Sequence, residues 1–176
     1  MLIVRLTPAV IFLMTDSMLS LQLLLLLAIA NGTPILAKWL LQDRFSAPLD
    51  GGIILHDGEP LFGAAKTLRG IVLSIVCTAA AALLLHLDWR TGVWIAAMSM
   101  LGDLGSSFIK RRLHLPPHAP AFGLDQIPEA LLPLVVIKAQ FNLTSVDIAI
   151  LLIAFIVLEL ALSRLLFWLK IRDRPY

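Results

Sequence analysis

The sequence predicts an all-α integral membrane bundle of about five transmembrane helices, and three observations predict it. The first is composition: 59% of the 176 residues are apolar and 15% charged, with a mean hydropathy of +0.91. A soluble domain is roughly 45–50% apolar and ~25% charged, and could not hide this much apolar surface from water. The second is run length, since uncharged stretches such as Met18 to Ala37 and Gly70 to Leu87 approach the ~20 residues a helix needs to cross hydrocarbon. The third is periodicity. No alternating barrel pattern appears, and a segment in lipid must satisfy its own backbone, which leaves helices.

In chain order, residues 1–17 hold an apolar stretch, Pro8 to Met14, too short to span and without the charged start and small-residue exit of a signal peptide, so they are expected to form an interfacial lead-in. Residues 18–176 are expected to form a single membrane-embedded domain. Its apolar segments run from about 18 to 41, 68 to 87, 91 to 110, 127 to 143 and 146 to 169. The fourth is interrupted by Pro128, Glu129, Pro133 and Lys138.

The two long polar connections, about 42 to 67 and 111 to 126, fall on one side of the membrane if five spans alternate. That side collects Arg44, Lys66, Arg69, Lys110, Arg111, Arg112, Lys170, Arg172 and Arg174, against Arg5, Arg90 and Lys138 opposite. By the positive-inside rule it is cytoplasmic, which places the N-terminus outside and the C-terminus inside.

Several function classes fall away. A net charge of +2, spread over the ends of apolar runs, is no footprint for nucleic acid. Cys77 is the one cysteine and lies in an apolar run, so a disulfide or cysteine cluster within the chain is excluded. Histidines 56, 86, 114 and 118 lack zinc spacing: only His114 and His118 stand four apart, and Pro116-Pro117 break that stretch. There is no Gly-x-Ser-x-Gly elbow and no internal repeat.

An ionisable residue inside a span costs about 2.5–3.5 kcal/mol on insertion scales, so each one asks for a reason. Asp103 lies in Leu101-Gly-Asp-Leu-Gly-Ser-Ser-Phe-Ile-Lys-Arg-Arg112, where helical spacing puts it on one face with Ser106, Ser107 and Lys110. One reading is an internal Asp103 to Lys110 ion pair two turns apart, with the serines as small packing residues. The other takes in the company nearby: Arg111, Arg112, His114 and His118, then Gly123-Leu-Asp-Gln126 and Glu129. Acids facing a basic cluster suit a metal-bound polyphosphate.

A second cluster, Gly63-Ala-Ala-Lys-Thr-Leu-Arg-Gly70, offers a point charge, a hydroxyl and a planar guanidinium without P-loop spacing. Headgroup-level anchoring is its plainer reading. Asn31-Gly-Thr-Pro34 in the first span marks either a proline kink or a polar cavity. Glu159 is expected to have a structural role, paired with Arg164 or Lys138.

Gly102-Asp-Leu-Gly-Ser-Ser-Phe-Ile-Lys-Arg111 followed by Gly123-Leu-Asp-Gln126 resembles the signature of CTP-dependent lipid cytidylyltransferases, nearest to the CDP-archaeol synthase family. Lys66-Thr-Leu-Arg-Gly70 is similar to that family's Lys-Thr-Trp-Arg-Gly, and Asn31 with Pro34 resembles its polar break in the first span. The likeness covers about residues 31 to 130. The chain departs from the pattern in three places. Asp125-Gln-Ile-Pro128 stands for Asp-Gln-x-Asp, which leaves Glu129 as the nearest acid. Ser106 stands where an acid is often found, and Leu68 stands for the tryptophan.

The resemblance implies transfer of CMP from CTP to a membrane lipid phosphate, of archaeol-phosphate or phosphatidate type, with release of pyrophosphate. It implies Mg²⁺ held by Asp103 and Asp125, with Lys110 and Arg111 as catalytic phosphate-holding cations. Asn31, Lys66, Thr67, Arg69 and Ser107 would bind substrate. The expected partners are CTP and the lipid phosphate, with no nucleic acid and a homodimer left open, in the multi-pass setting of the cell (cytoplasmic) membrane. A transporter would spread polar residues through the depth of the bilayer, and here they gather at one face. A non-catalytic membrane subunit leaves Asp103, Lys110 and Asp125 unexplained, and the Asp-Gly-x-x-Ala-Arg pattern of CDP-alcohol phosphatidyltransferases is missing around Asp50 and Asp57.

Overall fold

A computed structural model describes residues 8–115, 121 and 123–171, with side chains from Ser17 onward. Arg5, His118, Arg172, Arg174, Pro116-Pro117 and the lead-in before Pro8 lie outside the described residues. Five helices follow in order: α1 (Pro8–Leu41), α2 (Leu68–Leu84), α3 (Trp89–Arg112), α4 (Gln126–Ile137) and α5 (Ser145–Trp168). The all-α class and the five segments agree with the sequence. Among the described residues, extended structure is limited to isolated bridges between Pro48 and Thr67 and between Ile54 and Pro60.

The boundaries differ in two places. α1 begins at Pro8, so part of the expected lead-in is continuous with the first helix. α4 ends at Ile137 rather than near 143, because a turn carrying Lys138, Gln140 and Asn142, the last at φ 51°, follows it. Three helices are long and apolar enough to cross a membrane: Ser17–Leu41, Trp89–Arg112 and Ser145–Trp168. α2 and α4 are shorter, with 17 and 12 residues. At 1.5 Å per residue α4 is only about 18 Å long, well short of a ~30 Å hydrocarbon core.

Pro34 sits inside α1 without ending it. A proline there has no N–H to donate to the carbonyl four residues back, which frees the oxygen of Ala30. The Ser74 hydroxyl of α2, fully buried, donates to that oxygen at 2.7 Å. The break expected at Asn31 to Pro34 is therefore repaired across a helix interface. Asn31 takes part as well: its amide donates to the Leu27 carbonyl at 2.9 Å, and its side-chain oxygen accepts from Ser99 of α3 at 2.9 Å.

The core joins Leu23, Leu26, Leu27 and Ala30 of α1 to Ala82 of α2, Ile95 and Ala96 of α3, Ala130 and Leu134 of α4, and Leu151 and Phe155 of α5. Small polar residues supplement it, with Ser74, Thr78, Thr91 and Ser99 almost fully buried, as expected where helices gain little from hydrophobicity and pack by close approach. The outward faces stay apolar: Val72, Val76, Trp94, Val146, Ile150, Ile153 and Val157 are all exposed. A helix bundle with apolar outward faces and small polar residues at its helix contacts matches a lipid solvent.

Candidate active site

Two acid–base pairs lie along the C-terminal half of α3. The Lys66 ammonium, at the end of the long 42–67 loop, lies 2.5 Å from both carboxylate oxygens of Asp103. The Lys110 ammonium lies 2.7 Å from Asp125, just ahead of α4. The internal Asp103 to Lys110 pair offered as one reading of the sequence is replaced by these two: both residues lie on one face of α3, and each meets a partner from another segment. All four side chains are about a quarter exposed or less, so the charges are partly desolvated yet open to solvent.

Glu129 adds a third acid. It is 8% exposed on the first turn of α4. Its carboxyl lies within electrostatic reach of Asp103, Glu159 and Lys66. What brings it there is Gly102. A Cβ built on Gly102 would lie 2.3 Å from the Pro128 carbonyl oxygen and 2.7 Å from the Glu129 nitrogen. Only a residue without a side chain allows the α4 backbone so close to α3, and that contact carries Glu129 to the residue next to Gly102. Pro128, where the family pattern has an acid, supplies the carbonyl that touches Gly102.

Thr67 is the N-cap of α2 and accepts from the Gly70 amide at 3.3 Å. Arg69 is half-buried and donates to the Arg44 carbonyl. Ser107 and Arg111 are buried on α3 at 5% and 6% exposure, and Ser106 turns its hydroxyl back to the Asp103 carbonyl at 2.9 Å. Asn31 is committed to the α1–α3 contact described above. Lys110, Arg111 and Arg112 occupy the last turn of α3, where cations complement the negative helix end.

Sequence reasoning missed the architecture of the 42–67 loop. Arg112 donates to Asp57 at 2.8 Å and to the Pro60 carbonyl at 2.7 Å, fastening the loop to the end of α3. Asp50 accepts from three backbone amides, those of Gly52, Phe62 and Gly63. The signal was present in Asp50-Gly-Gly52 and Asp57-Gly58, since an aspartate followed by glycine marks a turn closed by its own side chain.

The family model for CarS-like CDP-archaeol synthases matches residues 18–176. The chain belongs to the CDP-archaeol synthase family. The resemblance read from the Asp103, Lys66 and Asp125 motifs is thereby borne out. Similar curated proteins include the CDP-archaeol synthase of Hyperthermus butylicus, 38% identical over 104 residues that make up 56% of this chain and 59% of that one. The CDP-archaeol synthase of Pyrobaculum islandicum is 28% identical over 153 residues, 84% of this chain and 92% of that one. The match thus spans about three-fifths of the first relative and nearly all of the second. A solved structure described as an intramembrane enzyme for archaeal membrane lipids biosynthesis superposes with a TM-score of 0.70. It is 31% identical and covers 81% of this chain and 90% of that one. The family match spans the region that carries both acid–base pairs.

The donor chemistry fits a divalent cation carried in with its substrate. Asp103 and Glu129 offer hard carboxylate oxygens where the start of α4 approaches α3 at Gly102, and Asp125 lies along the same helix face through Lys110. Among the described residues no three His, Cys, Asp or Glu side chains are gathered to hold a metal ion by themselves. Mg²⁺ needs no such cage: it is ordinarily held by one or two carboxylates, with substrate phosphates and water completing the shell.

Proposed function

We propose that this protein transfers CMP from CTP to a membrane lipid phosphate, of archaeol-phosphate or phosphatidate type, giving a CDP-lipid and pyrophosphate, in the cell membrane and with Mg²⁺. The observation that carries the reading is the pair of partly desolvated acid–base couples, Lys66 with Asp103 and Lys110 with Asp125, on one face of α3 within the matched family region.

In the transfer, a lipid phosphate oxygen forms a bond to the α-phosphorus of CTP, and the bond from that phosphorus to the bridging oxygen of the β-phosphate breaks. The electron pair leaves with pyrophosphate. The nucleophile is already anionic, so the chain has little proton transfer to perform and works by positioning and by neutralising charge. Lys110 and Arg111 hold the phosphates at the end of α3, and Lys66, Thr67 and Arg69 grip phosphate oxygens from the start of α2. Asn31, through its bonds to Leu27 and Ser99, and the buried Ser107 would support the substrate site with neutral polar groups. Asp103 and Asp125 are the proposed ligands for Mg²⁺, with Glu129 beside Asp103. When bound there, the cation would supply positive charge to offset that of the departing pyrophosphate.

The proposed topology, N-terminus outside and C-terminus cytoplasmic, puts these residues at the headgroup plane on the side where CTP is found. A soluble nucleotide and a lipid phosphate can meet there without either crossing the bilayer. The test is incorporation of cytidine label from CTP into lipid by the purified protein with Mg²⁺, with ester- and ether-linked lipid phosphates offered in parallel. Label in a lipid with matching release of pyrophosphate supports the reading. No label with any lipid, from a protein that still binds CTP, overturns it.

A further inference from the structure

The 42–67 loop is long and polar, yet Lys66 must arrive at Asp103 with its ammonium well placed. The loop is closed at its neck by one buried carboxylate. Asp50 is 5% exposed. Its Oδ1 accepts from the Gly52 amide at 3.0 Å, while its Oδ2 accepts from the Phe62 amide at 2.9 Å and the Gly63 amide at 3.0 Å. These donors come from both limbs of the loop, so a single side chain holds them together. The acceptors are filled by main-chain amides, and a carboxylate with several such donors is strongly held.

The next links run straight to the site. Gly63 gives its N–H to Asp50 and accepts from the Lys66 amide at 3.1 Å. It does so at φ 94°, a conformation open to glycine and strained for other residues. On the other limb Leu49, the neighbour of Asp50, donates its amide to the Lys66 carbonyl at 2.7 Å, and Leu68 donates to the Ala47 carbonyl at 3.3 Å. Both main-chain polar groups of Lys66 are thus fixed by residues adjoining Asp50 or bonded to it. Arg112 holds the outer part of the loop separately, through Asp57 and the Pro60 carbonyl.

We infer that Asp50 is a positioning residue for the proposed transfer: by gathering the Gly52, Phe62 and Gly63 amides it sets the backbone at Lys66 and aims that ammonium at Asp103. The inference rests on the proposed role of Lys66 in the reaction. Asp50 itself touches neither Lys66's ammonium nor the acids of the site, so its effect is transmitted wholly through the main chain.

The test compares the full-length protein in lipid nanodiscs with Asp50→Asn and Asp50→Ala, reading two quantities. One is the rate at which an amine-acylating reagent modifies each lysine, measured by mass spectrometry. The other is the initial rate of CMP transfer. In Asp50→Ala the modification rate of Lys66 is expected to rise several-fold while that of Lys110 holds steady, and kcat/KM falls with it. Asp50→Asn keeps one acceptor oxygen and falls between the two in both quantities. A parallel rise at Lys110 would mean general loosening and overturn the positioning role, as would an unchanged Lys66 rate in Asp50→Ala. If Lys66 responds as expected but the unmodified protein transfers no CMP, the loop assignment stands and the proposed reaction fails. If transfer is robust and indifferent to Asp50, the positioning role fails and the reaction stands.

Discussion

Lys66 and Asp103 are 37 positions apart in the chain, yet the ammonium of one is shared evenly between the two carboxylate oxygens of the other at 2.5 Å. This contact joins the long loop to the C-terminal half of α3. Exposed ion pairs contribute little to stability, and both side chains here keep more than a fifth of their surface exposed. The value of the pair is placement rather than stability, and Lys66→Met should leave the melting temperature within a few degrees of the unmodified protein while suppressing CMP transfer. Thermal scanning and the label assay on the same sample check both halves.

Gly102→Ala should be among the most damaging small substitutions in the chain, because its Cβ would meet the Pro128 carbonyl at 2.3 Å. Overpacking of this kind costs typically 1–3 kcal/mol, and here the obstacle is backbone that cannot rotate away. Gly105→Ala provides the contrast, with nothing within 4 Å of the new methyl. It should be neutral or stabilising by up to about 1 kcal/mol through helix propensity. Thermal unfolding of the two variants in one detergent reads the difference.

Ser74→Ala removes the hydroxyl that satisfies the Ala30 carbonyl left free by Pro34. An unsatisfied buried acceptor costs about 1–3 kcal/mol in water-soluble proteins, and interhelical bonds in membranes average about 0.6 kcal/mol. A loss of roughly 0.5–2 kcal/mol is expected. Pro34→Ala restores the backbone bond, so the effect of Ser74→Ala should shrink in that background. A double-mutant cycle on unfolding reads the coupling.

The Asp50 carboxyl gives a pH signature. Burial works to raise it, and the amides of Phe62, Gly63 and Gly52 together outweigh burial and hold it below its ordinary value of 3.8. A group depressed in the folded state contributes stability that is fully present above its unfolded value and is lost as pH falls through the folded one. The loop should therefore keep its shape from neutral pH down to about 3.8 and open only below it. The amide proton shift of Gly63, followed by NMR in micelles, checks this. A midpoint above 3.8 would contradict it.

Much of this was legible in the sequence because lipid simplifies the problem. Apolar runs marked the helices, and an acid within a run, Asp103, marked the candidate site. The pairing of charges was not legible: Asp103 and Lys110 share a helix face, and nothing local says that each is claimed by a residue from another segment. Glu129 could be noticed as an acid near the start of α4, but its place beside Gly102 depends on a close approach that is a property of two helices. The loop went unread because its order comes from side-chain acceptors on main-chain amides, which leave only an Asp-Gly pattern as a trace. α4 was read too long because the polar residues after Ile137 follow an apolar run without an intervening glycine or proline.

If Asp103 and its lysine partner form the working core of the proposed CMP transferase, the transfer rate reads it. Initial rates of cytidine transfer from CTP to lipid phosphate are to be compared for the unmodified protein and Asp103→Asn, both shown to be inserted and folded. Removing one preorganised electrostatic group from a reacting site commonly costs ~10²–10³ in rate, and a loss of at least that order is the predicted result. Full activity in Asp103→Asn would contradict the account.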